Sequence, residues 1–251
     1  MRTKTKKLPK KIEKEIEKNP NMQRWDILLS DYVWSVKQLE KFAPMFTKQH
    51  WVYASQLQIF SEDLLRKYRE RIHWDEGFPY NRYHFTSEFI REMKGYLDWY
   101  YIFEQYKFDK DFVREFKDDI RWDDWFIISR TQKFDIDFME EMKKYIDWTG
   151  VSKAQVLTED FMRKYSDKLN WDYISTYQKL SEPFIEEFKD KLDWALLCSH
   201  QKMSCEFLEK HTKNITWQEV SWYQELSEDF IEKHLDKLLI GGVCGNQNLS
   251  L

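Results

Sequence analysis

The sequence predicts an all-α solenoid of about nine to ten helix-turn-helix repeats, each roughly 23 residues long, and three observations carry that reading. Tryptophan recurs as Trp25, Trp51, Trp74, Trp99, Trp122, Trp148, Trp171, Trp194 and Trp217, with Ile240 in the next place. The intervals are 26, 23, 25, 23, 26, 23, 23, 23 and 23 residues. Late in the chain the copies are nearly interchangeable: LTEDFMRKYSDKLNWDYISTYQK, LSEPFIEEFKDKLDWALLCSHQK, MSCEFLEKHTKNITWQEVSWYQE. Only 6 Gly and 5 Pro occur in 251 residues, too few for the turns of a strand-rich fold or for a long linker.

The elements follow in chain order. Residues 1–18 read as a basic segment, a tail and then a short helix, in which Arg2, Lys4, Lys6, Lys7, Lys10 and Lys11 gather positive charge. Residues 1–11 offer no apolar run to dock, so their loss is expected to leave the melting temperature unchanged. The repeat domain is expected over 19–240. Each copy opens with helix A, whose apolar residues stand ten, nine, six and two places before the tryptophan, as in Phe184, Ile185, Phe188 and Leu192 before Trp194. Such steps form the stripe of an amphipathic helix. A cap and an acidic first turn, such as Ser181 and Glu182, begin it. Its expected length is about 11 residues, or roughly 16 Å.

Helix B begins at the Asp or Asn before the tryptophan and runs about eight residues. Its inner face takes the tryptophan and the positions three, four and seven later, which share one side of a helix. Those positions hold an aliphatic residue (Ile174, Leu197, Val220), a small one (Ser55, Ser152, Ser175, Cys198, Ser221) and glutamine (Gln58, Gln155, Gln178, Gln201, Gln224). No copy can bury its stripe alone, so neighbours must stack. A leucine-rich β-solenoid has repeats of similar length but needs an alternating strand and an asparagine ladder, and neither recurs here.

Three copies depart from the pattern. After Trp74 the sequence DEGFPYNRYHF contains Gly77 and Pro79 and carries two extra residues. After Trp122, DDWFIISRTQKF fits if three residues are inserted beside Trp122, which leaves Trp125 as an extra ring. Before Trp51 the stripe is out of register, as suits a capping unit. Residues 241–251, GGVCGNQNLSL with Ser250 and Leu251 last, are expected to be irregular.

The phrases LSEDFIEKHLDKL and NWDYISTYQKL resemble short tryptophan-marked repeats of poorly characterised proteins of phages and large DNA viruses. The likeness spans roughly residues 60–240. It implies a viral or phage setting and a role in handling a host protein, and it transfers no catalytic or ligand residue.

Composition narrows the functional classes. Charged residues make up 33% and aromatics 18%, with 12 Trp, so the rings are buried or binding something. A net charge of −4 gives no general attraction to a polyanion. Cys198, Cys205 and Cys244 form an odd, sparse set without a disulfide framework, which fits a reducing, cytoplasmic compartment. No secretory signal or bilayer-spanning run is expected. Cys198, His200 and Cys205 lack the second pair of ligands that zinc needs. No nucleophile elbow, phosphate loop or histidine-based metal motif occurs, so neither enzyme activity nor a cofactor is expected.

The fixed serine and glutamine columns argue against a base-reading code, which would vary from copy to copy. Serine is expected as a small residue at close helix approaches, glutamine as a partner for loop carbonyls of the next unit. The expected function is a non-enzymatic protein-binding scaffold. A single-strand nucleic-acid binder and an enzyme with an unrecognised site are the alternatives. Partner-binding candidates are the off-period rings Trp34, Trp125 and Trp222, together with Tyr173; Tyr173 and Trp222 stand at the outward positions two and five after the tryptophan. The periodic tryptophans are expected in the core.

Overall fold

The computed structural model describes residues 6–22, 24–75 and 77–246, and among them nineteen α-helices and no strand are found. The chain forms two compact units, Met1–Tyr106 and Lys107–Leu251, each taken by itself below. The first holds α1 (Lys10–Lys18), α2 (Trp25–Asp31), α3 (Val36–Phe42), α4 (Lys48–Leu57), α5 (Glu62–Lys67), α6 (Ser87–Glu92) and α7 (Trp99–Gln105). The second holds α8 (Lys110–Phe116), α9 (Trp125–Thr131), α10 (Ile136–Glu141), α11 (Trp148–Ala154), α12 (Glu159–Lys164) and α13 (Trp171–Tyr177). It continues with α14 (Glu182–Glu187), α15 (Trp194–His200), α16 (Cys205–Lys210), α17 (Trp217–Tyr223), α18 (Glu228–Lys233) and α19 (Ile240–Asn246). No described helix is long and apolar enough to cross a membrane.

Capping residues set the boundaries. Thr158, Ser181, Ser204 and Ser227 each accept the backbone N–H three residues on with a side-chain hydroxyl, opening the A helices. Asp147, Asn170 and Asp193 do the same for the B helices α11, α13 and α15. Helix A is shorter than its stripe suggests. α12 is only 6 residues, and Lys168 and Leu169 then donate to the Tyr165 carbonyl in a tight turn. The cause is the next cap: Asn170 must be extended (φ −84°, ψ 109°) to accept from Tyr173, so the helix has to stop before it. The stripe itself is buried through Phe161, Met162, Tyr165 and Leu169 and most of their counterparts, with Phe188 and Ile231 partly exposed.

Two polar ladders hold the stack of the second unit. In α11, α13 and α17 the serine hydroxyl donates to the carbonyl of the residue four earlier: Ser152 to Trp148, Ser175 to Trp171 and Ser221 to Trp217, at 2.6–2.8 Å. The same oxygens accept the amides of Asn170, Asp193 and Leu239, 18 residues on, where the next B helix begins. Serine is therefore a bridge as well as a small residue. Glutamine closes helix B. Gln178 accepts the Leu157 amide at the start of its own copy and donates to the carbonyls of Ser152 and Gln155. Gln155, Gln201 and Gln224 repeat the pattern. The carbonyls belong to the preceding copy, so the expected partnership with the next unit runs the other way. These are helix-end groups without an intrahelical partner, and buried ones need satisfaction.

The periodic tryptophans of this unit are not its core. Trp148, Trp171, Trp194 and Trp217 are partly exposed. The Trp171 and Trp194 indoles fold back to donate to Ser166 and Lys189 carbonyls. The four rings lie 4.7–4.9 Å from Tyr165, Phe188, His211 and His234 of the following copy. Lys168, Lys191 and Lys237 cover Trp148, Trp171 and Trp217. His211 and His234 are buried and hydrogen-bonded to Glu186 and Glu209.

The irregular copies keep the ladders with other residues. In the first unit, Tyr80 donates to the Trp74 carbonyl and accepts the Asp98 amide, the two bonds that serine makes elsewhere. Tyr83 accepts the Phe60 amide and Tyr106 the Phe85 amide, as glutamine does elsewhere. Gln58 keeps the original arrangement, with Trp34, Leu29 and Tyr32. Burial pushes the Tyr83 hydroxyl up to about 12 and raises those of Tyr80 and Tyr106.

At the N-terminus, residues 6–8 dock. Lys7 pairs with Val33 in an isolated bridge, and Leu8 is buried. That overturns the expectation that residues 1–11 pack against nothing. At the other end, residues 240–246 form α19 rather than an irregular tail, while residues 247–251 lie outside the described residues. Val243 stands three places after Ile240, as the repeat requires, and is buried. Gly242 makes a close approach there, since a Cβ would fall 3.0 Å from the Ser221 carbonyl.

Candidate interaction surface

The four candidate rings part company. Trp34, 3% exposed, packs on Trp25, Phe42 and Phe46 and donates its indole N–H to the Leu28 carbonyl. Trp125, 2% exposed, opens α9 and takes the periodic place, with Ile128, Ser129 and Gln132 buried three, four and seven residues later. The extra residue is Trp122, 87% exposed on a 3-10 turn. Neither Trp34 nor Trp125 can present a ring to a partner. Trp222 is 46% exposed and Tyr173 is partly buried, so these two remain on the surface.

Trp222 belongs to a larger arrangement that sequence reading missed. The B-helix positions five and six after the tryptophan run Arg130 and Thr131, Lys153 and Ala154, Thr176 and Tyr177, Ser199 and His200, Trp222 and Tyr223. Tyr177 and Tyr223 are 54% and 60% exposed. No Asp or Glu stands in this strip, which spans α9, α11, α13, α15 and α17. Arg130 lies over the Phe126 ring, and Lys153 over those of Tyr173 and Tyr177, at 5.2–5.9 Å. The side-chain signal was present, but only reading two columns together across five copies exposes it.

The A-helix side of the same unit is different, because its charges are spent on one another. Arg114 holds Asp111 and Glu141, Arg163 holds Asp160 and Glu187, and Lys210 and Lys233 hold Glu186 and Glu209. The Lys210 and Lys189 ammonium groups, with His211, hold the Glu186 carboxyl down to about 2. Such exposed pairs tie neighbouring copies together weakly.

Three open clefts of about 430–460 Å³ lie in the first unit. One of them is lined by Phe46, Lys48, Trp51, Arg71 and His73, with Glu70 and Ile72. Glu70 there accepts from the Tyr96 hydroxyl, and the His73 amide donates to the Ser55 hydroxyl. Among the described residues no three His, Cys, Asp or Glu side chains gather to hold a metal ion. No protein-family model, curated protein or solved structure matches this chain.

Proposed function

We propose that this protein is a binding scaffold whose outward B-helix face, in residues 107–251, receives a polypeptide partner. One observation carries the reading: Tyr177 on α13 and Trp222 and Tyr223 on α17, with one B helix between them, stand half-open on a hydrogen-bond-clamped stack. Tyr and Trp are favoured interface anchors because they bring large area at little cost in rotamer freedom. The glutamine and serine ladders fix the spacing of the helices, so the rings are held in place before any partner arrives, which lowers the ordering cost of binding. The resemblance to phage and viral repeats would make that partner a host protein.

The test is the triple variant Tyr177→Ala, Trp222→Ala, Tyr223→Ala, compared with wild type in affinity capture from the native host's extract. The expected result is an unchanged melt, loss of a partner that wild type captures, and slowed hydrogen exchange in α13–α17 when that partner binds. Full recovery of the partner by a variant that melts normally rejects this face.

A further inference from the structure

We infer that the strip accepts an extended acidic segment of about eleven residues, with carboxylates on Arg130 and Lys153 and apolar or aromatic side chains on Tyr177, Trp222 and Tyr223. This rests on the reading of the B-helix face as a polypeptide-binding surface and adds the chemistry of the occupant.

The argument starts from charge. Residues 107–251 contain four arginines. Arg114, Arg121 and Arg163 all hold carboxylates in their own unit at 2.7–3.1 Å. Arg130 has no carboxylate within 4.0 Å among the described residues, although this stretch has 29 Asp and Glu. Its guanidinium rests on Phe126, which leaves the planar donor fork free for a carboxylate. Lys153, on the next B helix, also lacks a carboxylate and is steadied over Tyr173 and Tyr177. The acids of these B helices, Asp172 and Glu219, sit one and two places after their tryptophans, in the first turn. The strip lies on the last turn. Cations thus occupy one end of an acid-free row and open rings the other.

Length and occupant follow. Packed helices stand about 9 Å apart, so the four steps from α9 to α17 cover about 36 Å. An extended chain at about 3.3 Å per residue spans that with about eleven residues. A nucleic-acid strand fits less well. It brings a phosphate with every nucleotide, whereas the strip's own cations are Arg130 and Lys153 and the unit as a whole carries 21 Lys and Arg against 29 Asp and Glu. The Lys153 ammonium also covers the Tyr173 ring, where a base would stack.

The experiment selects random phage-displayed peptides of about twelve residues on the full chain and measures the synthetic winners by fluorescence anisotropy. The expected winners have Asp or Glu towards one end and Phe, Trp, Leu or Met towards the other. They should lose at least about tenfold in affinity on Arg130→Gln, Lys153→Gln, and about as much on Tyr177→Ala, Tyr223→Ala, with melting temperatures unchanged. Winners without an acidic bias, or with full affinity for the Arg130→Gln, Lys153→Gln variant, overturn the inferred chemistry. If those same peptides still fail on Tyr177→Ala, Tyr223→Ala, the face itself stands. No enrichment at all overturns both. A thymidine oligonucleotide of equal length that binds more tightly than the best peptide, through the same cations, overturns a polypeptide as occupant.

Discussion

The regular copies of residues 148–224 and the irregular copies of residues 74–106 solve one problem with different side chains. In the regular copies a single carboxamide, that of Gln178 for instance, makes three bonds. In the irregular ones a tyrosine hydroxyl receives the amide, and for Tyr106 the neighbouring Gln105 supplies another donor to the Tyr83 carbonyl. The serine bridge is likewise rebuilt from the longer reach of Tyr80, across a segment that Gly77 and Pro79 keep from being helical. What the fold demands at these places is a polar atom in a fixed position. The residue that provides it is negotiable.

The largest effect should come from breaking the three-bond clamp. Gln178→Leu orphans the Leu157 amide and the Ser152 and Gln155 carbonyls, and should cost about 3 to 9 kcal/mol in urea unfolding, since each buried unmet group costs about 1 to 3. Tyr83→Phe removes one acceptor and should cost about 1 to 2 kcal/mol. Equal losses would show that the two versions of the ladder are not graded by bond number.

The tryptophan column offers a second contrast. Trp125→Ala, at a fully buried ring, should cost about 3 to 5 kcal/mol. Trp194→Ala, where the ring is partly exposed, should cost about 1 to 2. Deleting residues 1–9 should lower the melting temperature by several degrees, because Leu8 and the bonds to Val33 go with them.

Much of this was legible in the sequence because it is periodic. Repeat length, B-helix limits and the buried aliphatic, serine and glutamine columns all recur, and recurrence separates structural demand from accident. The tyrosine substitutes were hidden, since a hydroxyl doing the work of an amide leaves no trace in residue type. Leu8 was hidden too, as one apolar residue in a basic run docks through a backbone bridge that no spacing announces. The exposed strip escaped notice because its columns vary freely, and variation resembles solvent exposure until the cations prove to lack carboxylates.

The two ladders should also differ in alkali. Tyrosine in an unfolded chain titrates near 10, whereas burial holds Tyr83 up to about 12. The folded state therefore keeps this proton more tightly, and the stability it contributes is complete below about pH 10 and lost as pH rises towards about 12. Glutamine has nothing to titrate. Melting between those limits should fall more steeply for wild type than for Tyr83→Phe, and parallel curves would show that the phenol does not titrate with unfolding.

The smallest effect should be at Trp122, and it is the sharpest test of register. Two alignments satisfy the tryptophan spacing: 23 residues from Trp99 to Trp122 and then 26 to Trp148, or 26 to Trp125 and then 23. The spacing alone is neutral between them. The residues that follow are not, for Ile128, Ser129 and Gln132 fall three, four and seven places after Trp125, and the Ser129 hydroxyl accepts the Asp147 amide as its counterparts do. The three inserted residues form the 3-10 turn Trp122–Asp124, in which Arg121 holds the buried Asp124 and the Trp122 ring points away from the core. Trp122→Ala should thus change stability by less than about 0.5 kcal/mol, as surface substitutions usually do. A loss of several kcal/mol there, with little at Trp125, would move the insertion to the other side of the turn and shift α9 out of its place in the stack.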